Sequence, residues 1–559
     1  MSESDQAQNP NQNLAAKLKE EGNTFFLNKD YQAAYDKYSK ALKIDDSNAI
    51  LYANRAACCQ NLHRFLDAAT DGKRATEIDP LYPKAWARLA AAQASLDHNT
   101  ESVKNWKRAI EALPVENLTA AELKQKTSYQ SELKAVERKI RKPHDTTSHQ
   151  FIMEIDKFPW KRAEKFDKEL EGQGVNMQNT GSSGNVILAA YLDWSKGMDR
   201  IKQQRRVQVS PNSGYWTGAG GAIALLVSAI LRDVRVFHTI DADWEETYTR
   251  QVQLEAQTVG AWFDIGPEQM KTVVLERLRT EPWDGVRKSM ALTIRVWIMR
   301  GFMGQLMKRE HSVGVGFIGQ ALEFLRWGAE TWKDVSYDDK GGMFHPSMIR
   351  GVHHVYIHVL RSAVSHDSKT FSADKLQQEA EDLIKDCDSP VQVVTEGADA
   401  GFILSFTKYP RAMALSSIGF CYEIKAGRLV EDIGPGGITE AQSTALIQYL
   451  FKAVQYYIDS ASSYPADDEL HLWNLSCALK CAWQARAPLS TTFLITEGIR
   501  RALPDVNRIW EHASISTQGA PQFRFALQME QMFREKIAEG SLSETSQVAP
   551  DYFKDVEGY

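Results

Sequence analysis

LKEEGN (residues 18–23), LYANRA (51–56) and PKAWARLA (83–90) stand near the starts of three successive, similar stretches of this chain. The stretches repeat every 34 residues: Ala41, Ala75 and Ala109 share one offset, Ala34, Ala68 and Ser102 a second, and Asp46, Pro80 and Pro114 a third. Larger apolar residues recur between them: Leu18, Phe25, Phe26, Tyr38 and Leu42, then Tyr52, Leu66 and Ile78, then Trp86, Trp106 and Ile110. Within each stretch their spacing of three to four marks the buried face of a helix.

Each unit therefore reads as two antiparallel helices that cannot bury their apolar faces alone, so neighbours must stack, and alanine together with Gly22 permits the close approach. Proline at 80 and 114 closes the second helix of its unit, because it lacks the N–H an interior turn requires. A strict 34-residue period with small residues at fixed offsets is the mark of tetratricopeptide helix pairs, whose array curves with the first helices on the concave side.

Five polar residues fall on those first helices. Lys19 and Asn23 are four apart and share a face, as do Lys84 and Arg88, and Asn54 sits between the two pairs. The expected groove holds three cations and two amides. Such a set suits a pair of carboxylates, since Arg grips bidentately, Lys supplies point charge and Asn donates to oxygen. A free chain end with an acidic last residue offers that pair.

The stretch 14–115 resembles the three-repeat tetratricopeptide domains of dicarboxylate-clamp co-chaperones, the heat-shock organising and small glutamine-rich kinds. The resemblance covers under a fifth of the chain. It implies that Lys19, Asn23, Asn54, Lys84 and Arg88 form a clamp for the C-terminal Glu-Glu-Val-Asp tails of seventy- and ninety-kilodalton heat-shock chaperones. It further implies a co-chaperone or adaptor; the sequence has no kinase, phosphatase, serine-nucleophile or P-loop pattern, so no catalytic activity and no cofactor are expected.

Composition sets outer limits. A chain of 559 residues, 43% hydrophobic and 25% charged, buries a large core and divides into two or more domains. A net charge of −6 and a pI near 6.2 argue against a general nucleic-acid binder. Residues 15–114 hold 15 Lys plus Arg against 13 Asp plus Glu, a balance of +2, which leaves about −8 for the rest. The six cysteines show neither metal-type CxxC spacing nor a disulfide framework, and the opening MSESDQAQNPNQN resembles no targeting signal, so a cytoplasmic location is expected.

The organisation expected from sequence is all-α. It comprises a disordered tail (1–13), the repeat domain (14–115), a capping helix (116–142) opened by a Thr119/Glu122 capping box, a linker (143–150), a helical domain (151–540) and a polar tail (541–559). LDWSKGMDRIKQQRRV (192–207) reads as a helical piece, and GAGGAIALLVSAIL (218–231) as a buried helix too short to span a bilayer. AVQYYIDSASSYPADDELHLWNL (453–475) suggests a degenerate repeat boundary, with Ala453, Ala461 and Pro465 near the expected offsets.

Two features invite chemistry beyond peptide binding. The Gly-rich run EGQGVNMQNTGSSGN (171–185) precedes an apolar helix as a phosphate cradle does, but lacks a GxxxxGK[ST] pattern. His354 and His358 share a helical face at a spacing that can ligate zinc, yet Val355 stands where HExxH needs an acid. Two alternatives therefore accompany the clamp: a metal-dependent or otherwise cryptic enzyme within 151–559, and a scaffold binding internal peptides. The helical remainder is expected to bind a second partner or to self-associate.

Overall fold

The computed structural model describes residues 10–141, 154–210, 213–238, 243–389, 397–433 and 437–550. It is 77% helical with 2% strand, an all-α chain. Six N-terminal helices form three pairs: α1 (Pro10–Leu27) with α2 (Tyr31–Leu42), α3 (Ala49–Asn61) with α4 (Phe65–Ile78), and α5 (Pro83–Ser95) with α6 (Asn99–Glu111). A longer helix, α7 (Ala120–Arg141), follows. Helix α1 begins at Pro10, inside the stretch read as a tail; residues 1–9, the linker 143–150 and residues 551–559 lie outside the described residues.

The repeat is visible in the backbone as well as in the side chains. Each pair turns through one left-handed residue, Lys29 (φ 63°), His63 (φ 59°) or Asp97 (φ 57°), again 34 apart. The next amide reaches back five residues in each case: Asp30 N–H to Phe25 O (2.9 Å), Arg64 N–H to Cys59 O (2.8 Å), His98 N–H to Gln93 O (2.9 Å). This is the helix-terminating motif that satisfies carbonyls otherwise left without partners. Asn48 caps α3 by accepting from Ile50 and Leu51 N–H, and Pro83 opens α5, where its missing N–H costs nothing.

Small residues set the distance between helices. A Cβ at Gly72 on α4 would lie 2.8 Å from the backbone nitrogen of Leu89 on α5, and one at Gly22 would lie 2.7 Å from the Tyr38 ring. Ala34, Ala41, Ala68, Ala75 and Ala109 are all buried at these seams. Arg55 on α3 grips Asp71 on α4 with two bonds of 2.8 and 2.7 Å. Helix α7 lays Tyr129 and Val136 against Trp106, Ala109 and Leu113 of the third pair. The Thr119/Glu122 capping box forms: Glu122 Oε2 accepts from Thr119 N–H at 2.8 Å, and Thr119 Oγ1 accepts from Glu122 N–H at 3.3 Å.

The chain divides into two compact units, one of Met1–Gln150 with Ala256–Lys340 and one of Phe151–Glu255 with Gly341–Tyr559. Residues 256–340 thus group with the repeat array, whereas the sequence reads as one domain over 151–540. Glycine and charge explain the grouping. Gly316, in helix His311–Thr331, approaches the carbonyl of His63 so closely that a Cβ there would sit 2.2 Å from it, and Gly266 meets Asp67 in the same way. Around them Arg64 pairs with Asp67 at 2.8 Å and lies 3.3 Å from Glu268, while Lys271 bridges Glu268 (2.6 Å) and Glu323 (2.9 Å). Burial pushes the Asp67 carboxyl up to about 6 even beside Arg64.

The second unit is built from consecutive packed helices, among them Tyr409–Glu431, Glu440–Ser463, Glu469–Gln484, Leu489–Trp510 and Ser514–Ala538. At its centre the buried Arg235 guanidinium bonds Asp233 (2.7 Å) and Asp468 (2.8 Å) and stacks 3.8 Å from the Trp510 ring centroid. The Tyr409 hydroxyl donates to the same Asp468 carboxylate. The apolar run forms a buried helix, Ala222–Arg232, as read from sequence, and no helix among the described residues is long and apolar enough to cross a membrane. One expectation fails: the helix ends at Ile201, and Arg205–Ser210 pairs antiparallel with Ser213–Thr217 as a β-hairpin. Val207 and Val209 alternate with Gln208 and Ser210 and favour a strand, although Arg205 and Arg206 are good helix formers, and the glycine of SGYWT disfavours a helix interior.

The contact at Gly72 yields a stability prediction. Gly72→Ala drives a methyl into the fixed backbone of α5, and we expect a loss of about 1–3 kcal/mol, the usual cost of overpacking. Denaturant unfolding of the full chain, followed by circular dichroism, measures it; an unchanged midpoint contradicts the seam.

Candidate functional site

The groove-facing side of the array contains a cavity of about 320 Å³ lined by Asn23, Phe26 and Leu27 from α1, Tyr38 from α2, Asn54 and Ala57 from α3 and Arg88 from α5. Three of the residues singled out from sequence, Asn23, Asn54 and Arg88, therefore meet at one place. The period explains how. Asn54 and Arg88 are 34 apart and occupy the same offset in successive units, and Ala57 is the counterpart of Asn23. Lys19 and Lys84 stand one turn before Asn23 and Arg88 on α1 and α5, outside the cavity lining.

Hydrogen bonds fix the amides. Asn23 Oδ1 accepts from the Tyr38 hydroxyl at 2.8 Å and from Asn54 Nδ2 at 3.3 Å. With its oxygen held by two donors, Asn23 turns its Nδ2 away, where it donates to Glu20 Oε2 at 3.2 Å. Lys19 Nζ lies 3.6 Å from the other oxygen of Glu20. Burial pushes the Tyr38 phenol up to about 12, with Cys58 adding to the shift and the Asn54 bond opposing it. Burial likewise raises the Cys58 thiol to about 12, while the Arg88 charge pulls it down.

The lining joins amide donors and a guanidinium to apolar surface from Phe26, Ala57 and the exposed Leu27. Chemically it can take a carboxylate with an aliphatic side chain beside it. Sequence reasoning assigned Phe26 and Tyr38 to the core alone and passed over Leu27 and Ala57. The Tyr38 ring is indeed buried, but its polar tip orients Asn23. A phenol on a core-facing position one helix away from a polar face is the signal that would have pointed to it, since a buried tyrosine hydroxyl needs a partner.

The other candidates resolve differently. The donors of the Gly-rich loop are taken by an internal carboxylate: Ser183 N–H donates to Asp467 Oδ1 at 2.8 Å, and the Ser182 hydroxyl donates to the same side chain. His354 and His358 lie inside the helix Pro346–His366; His353 pairs instead with Glu379 at 3.0 Å. No group of three or more His, Cys, Asp or Glu side chains among the described residues could hold a metal ion. All six cysteines are free thiols.

Burial lowers His354 to about 3, helped by His358, Arg235 and His353, and lowers His358 to about 4, helped by Arg361 and Arg235 and opposed by Asp233. Both are neutral when folded and take up protons near pH 6.5 only when unfolded, so stability present at neutral pH is lost as pH falls from about 6.5 toward 4. The expected loss is of order 1–2 kcal/mol per imidazole by pH 5. Thermal melts across pH 5–8 measure it, and His354→Leu should flatten the profile; equal pH dependence in both proteins contradicts the assignment.

No family model matches the chain. Among curated proteins, small glutamine-rich tetratricopeptide repeat-containing protein 2 of Saccharomyces cerevisiae is 36% identical over 126 residues, 22% of this chain and 35% of its own length. Heat shock protein STI1 of the same yeast is 37% identical over 109 residues, 19% of this chain and 18% of its own. The chain thus spans about a third or less of these relatives. Among solved structures, the first tetratricopeptide domain of Spaghetti (RPAP3), bound to the HSP90 peptide SRMEEVD, is 30% identical with a TM-score of 0.21, covering 23% of this chain and 96% of that one. The Sgt2 tetratricopeptide domain from Aspergillus fumigatus is 30% identical with a TM-score of 0.20, covering 24% and 89%. The N-terminal fifth of the chain is a tetratricopeptide array similar to those of the small glutamine-rich and STI1-type co-chaperones.

Proposed function

We propose that this chain is a non-catalytic co-chaperone or adaptor. Its N-terminal array binds the acidic C-terminal tail, of the Glu-Glu-Val-Asp type, of seventy- and ninety-kilodalton heat-shock chaperones. The observation that carries this reading is the convergence of Asn23, Asn54 and Arg88 on one cavity that also presents apolar surface. In the proposed clamp, Arg88 and Asn54 hold one carboxylate of the tail's last residue from the cavity side, Asn23 Nδ2 and Lys19 hold the other, the apolar lining takes an aliphatic side chain, and Lys84 adds charge one turn from Arg88. The heat-shock names of the curated relatives agree with this assignment. The second unit is proposed as the other arm of the adaptor, binding a further partner or self-associating.

Calorimetry of the full chain with a synthetic peptide ending Glu-Glu-Val-Asp tests the proposal. Arg88→Ala or Lys84→Ala should weaken binding by about 1.5–3 kcal/mol, the range for hydrogen bonds to charged groups, with circular dichroism unchanged because both side chains are exposed. Affinity should fall as salt rises. Amidating the last carboxylate should abolish most of the heat; equal affinity for the amidated peptide would favour a scaffold for internal segments.

A further inference from the structure

We propose that Glu20 is an internal carboxylate that engages Lys19 and Asn23 of the clamp, and that an acidic peptide binds by displacing it. The inference rests on the clamp reading and goes one step further, to what the groove holds when no peptide is present. The period supplies the first argument. Glu20 stands 34 residues before Asn54 and 68 before Arg88, at the same groove-facing offset. Where the second and third units present a donor amide and a guanidinium, the first presents an acid.

The contacts supply the second argument. The Glu20 carboxylate accepts from Asn23 Nδ2 at 3.2 Å through one oxygen and lies 3.6 Å from Lys19 Nζ through the other. These are two of the clamp positions, and a peptide carboxylate uses the same two donors. Asn23 cannot serve both by rotating, because Tyr38 and Asn54 hold its Oδ1. The Glu20 side chain is 69% exposed, so it can swing out into water without breaking core packing. Its neighbour Glu21 takes no part, being paired with Lys37 at 2.5 Å on α2.

An exposed contact of this kind is weak, so the brake is modest: we expect removal of Glu20 to tighten binding about two- to fivefold. The test compares the wild-type chain with Glu20→Gln, Glu20→Ala and Glu21→Gln by calorimetry, using a peptide ending Glu-Glu-Val-Asp at low and at high salt. Both Glu20 variants should bind more tightly than wild type, Glu21→Gln should match wild type, and the advantage should shrink at high salt. Affinity in Glu20→Gln and Glu20→Ala equal to or below wild type overturns the proposal while leaving the clamp intact. Equal tightening by Glu21→Gln also overturns it, because the effect is then general charge rather than displacement. Absence of any heat with wild type overturns the clamp reading itself.

Discussion

The approach of α4 to α5 at Gly72 is the constraint on which the array depends. With a hydrogen where other residues carry a Cβ, the helix rests directly on the backbone of Leu89. That contact sets the separation of the second unit from the third, and the left-handed turns at Lys29, His63 and Asp97 fix the angle within each pair. Stacked repeats contact only their neighbours, so a local spacing is propagated along the array. Residues at one offset then fall in register on the concave side. The meeting of Asn23, Asn54 and Arg88 in a single cavity is a consequence of that regularity.

Within the cavity, orientation matters as much as position. An asparagine amide can present either its oxygen or its nitrogen, and Tyr38 with Asn54 decides the matter for Asn23 by donating twice to its oxygen. The ring of Tyr38 is part of the first pair's core and lies against Gly22, so packing and recognition share one side chain. A site organised by the core is rigid before any ligand arrives, which lowers the ordering cost of binding.

The N-terminal array was legible because its information is periodic: small residues at fixed offsets report helix contacts, and the stacking they imply put Lys19, Asn23, Asn54, Lys84 and Arg88 in one groove, of which Asn23, Asn54 and Arg88 line the cavity. The role of Tyr38 was not, because a tyrosine at a core position gives no sign of where its hydroxyl ends. The grouping of residues 256–340 with the array was hidden for another reason. It depends on Gly316 meeting the carbonyl of His63 and on Arg64 meeting Glu268, pairings some 200 residues or more apart that leave no local pattern. The buried Arg235 cluster is similar, since Asp468 and Glu469 look from sequence like a solvated helix start. The hairpin at 205–217 was missed because the strand follows a helix directly and its alternation is short.

That hairpin bears on how copies of the chain behave in concentrated solution. Among the described residues its two strands pair only with each other, and almost every side chain on them is exposed, including Val209 and Tyr215. Outer edges of this sort are templates for stray backbone pairing between molecules. The adjacent Arg205 and Arg206 place two like charges on the strand, so a second hairpin laid alongside meets electrostatic repulsion before its amides can zip. The same arginines that obscured the strand in the sequence guard it against accretion.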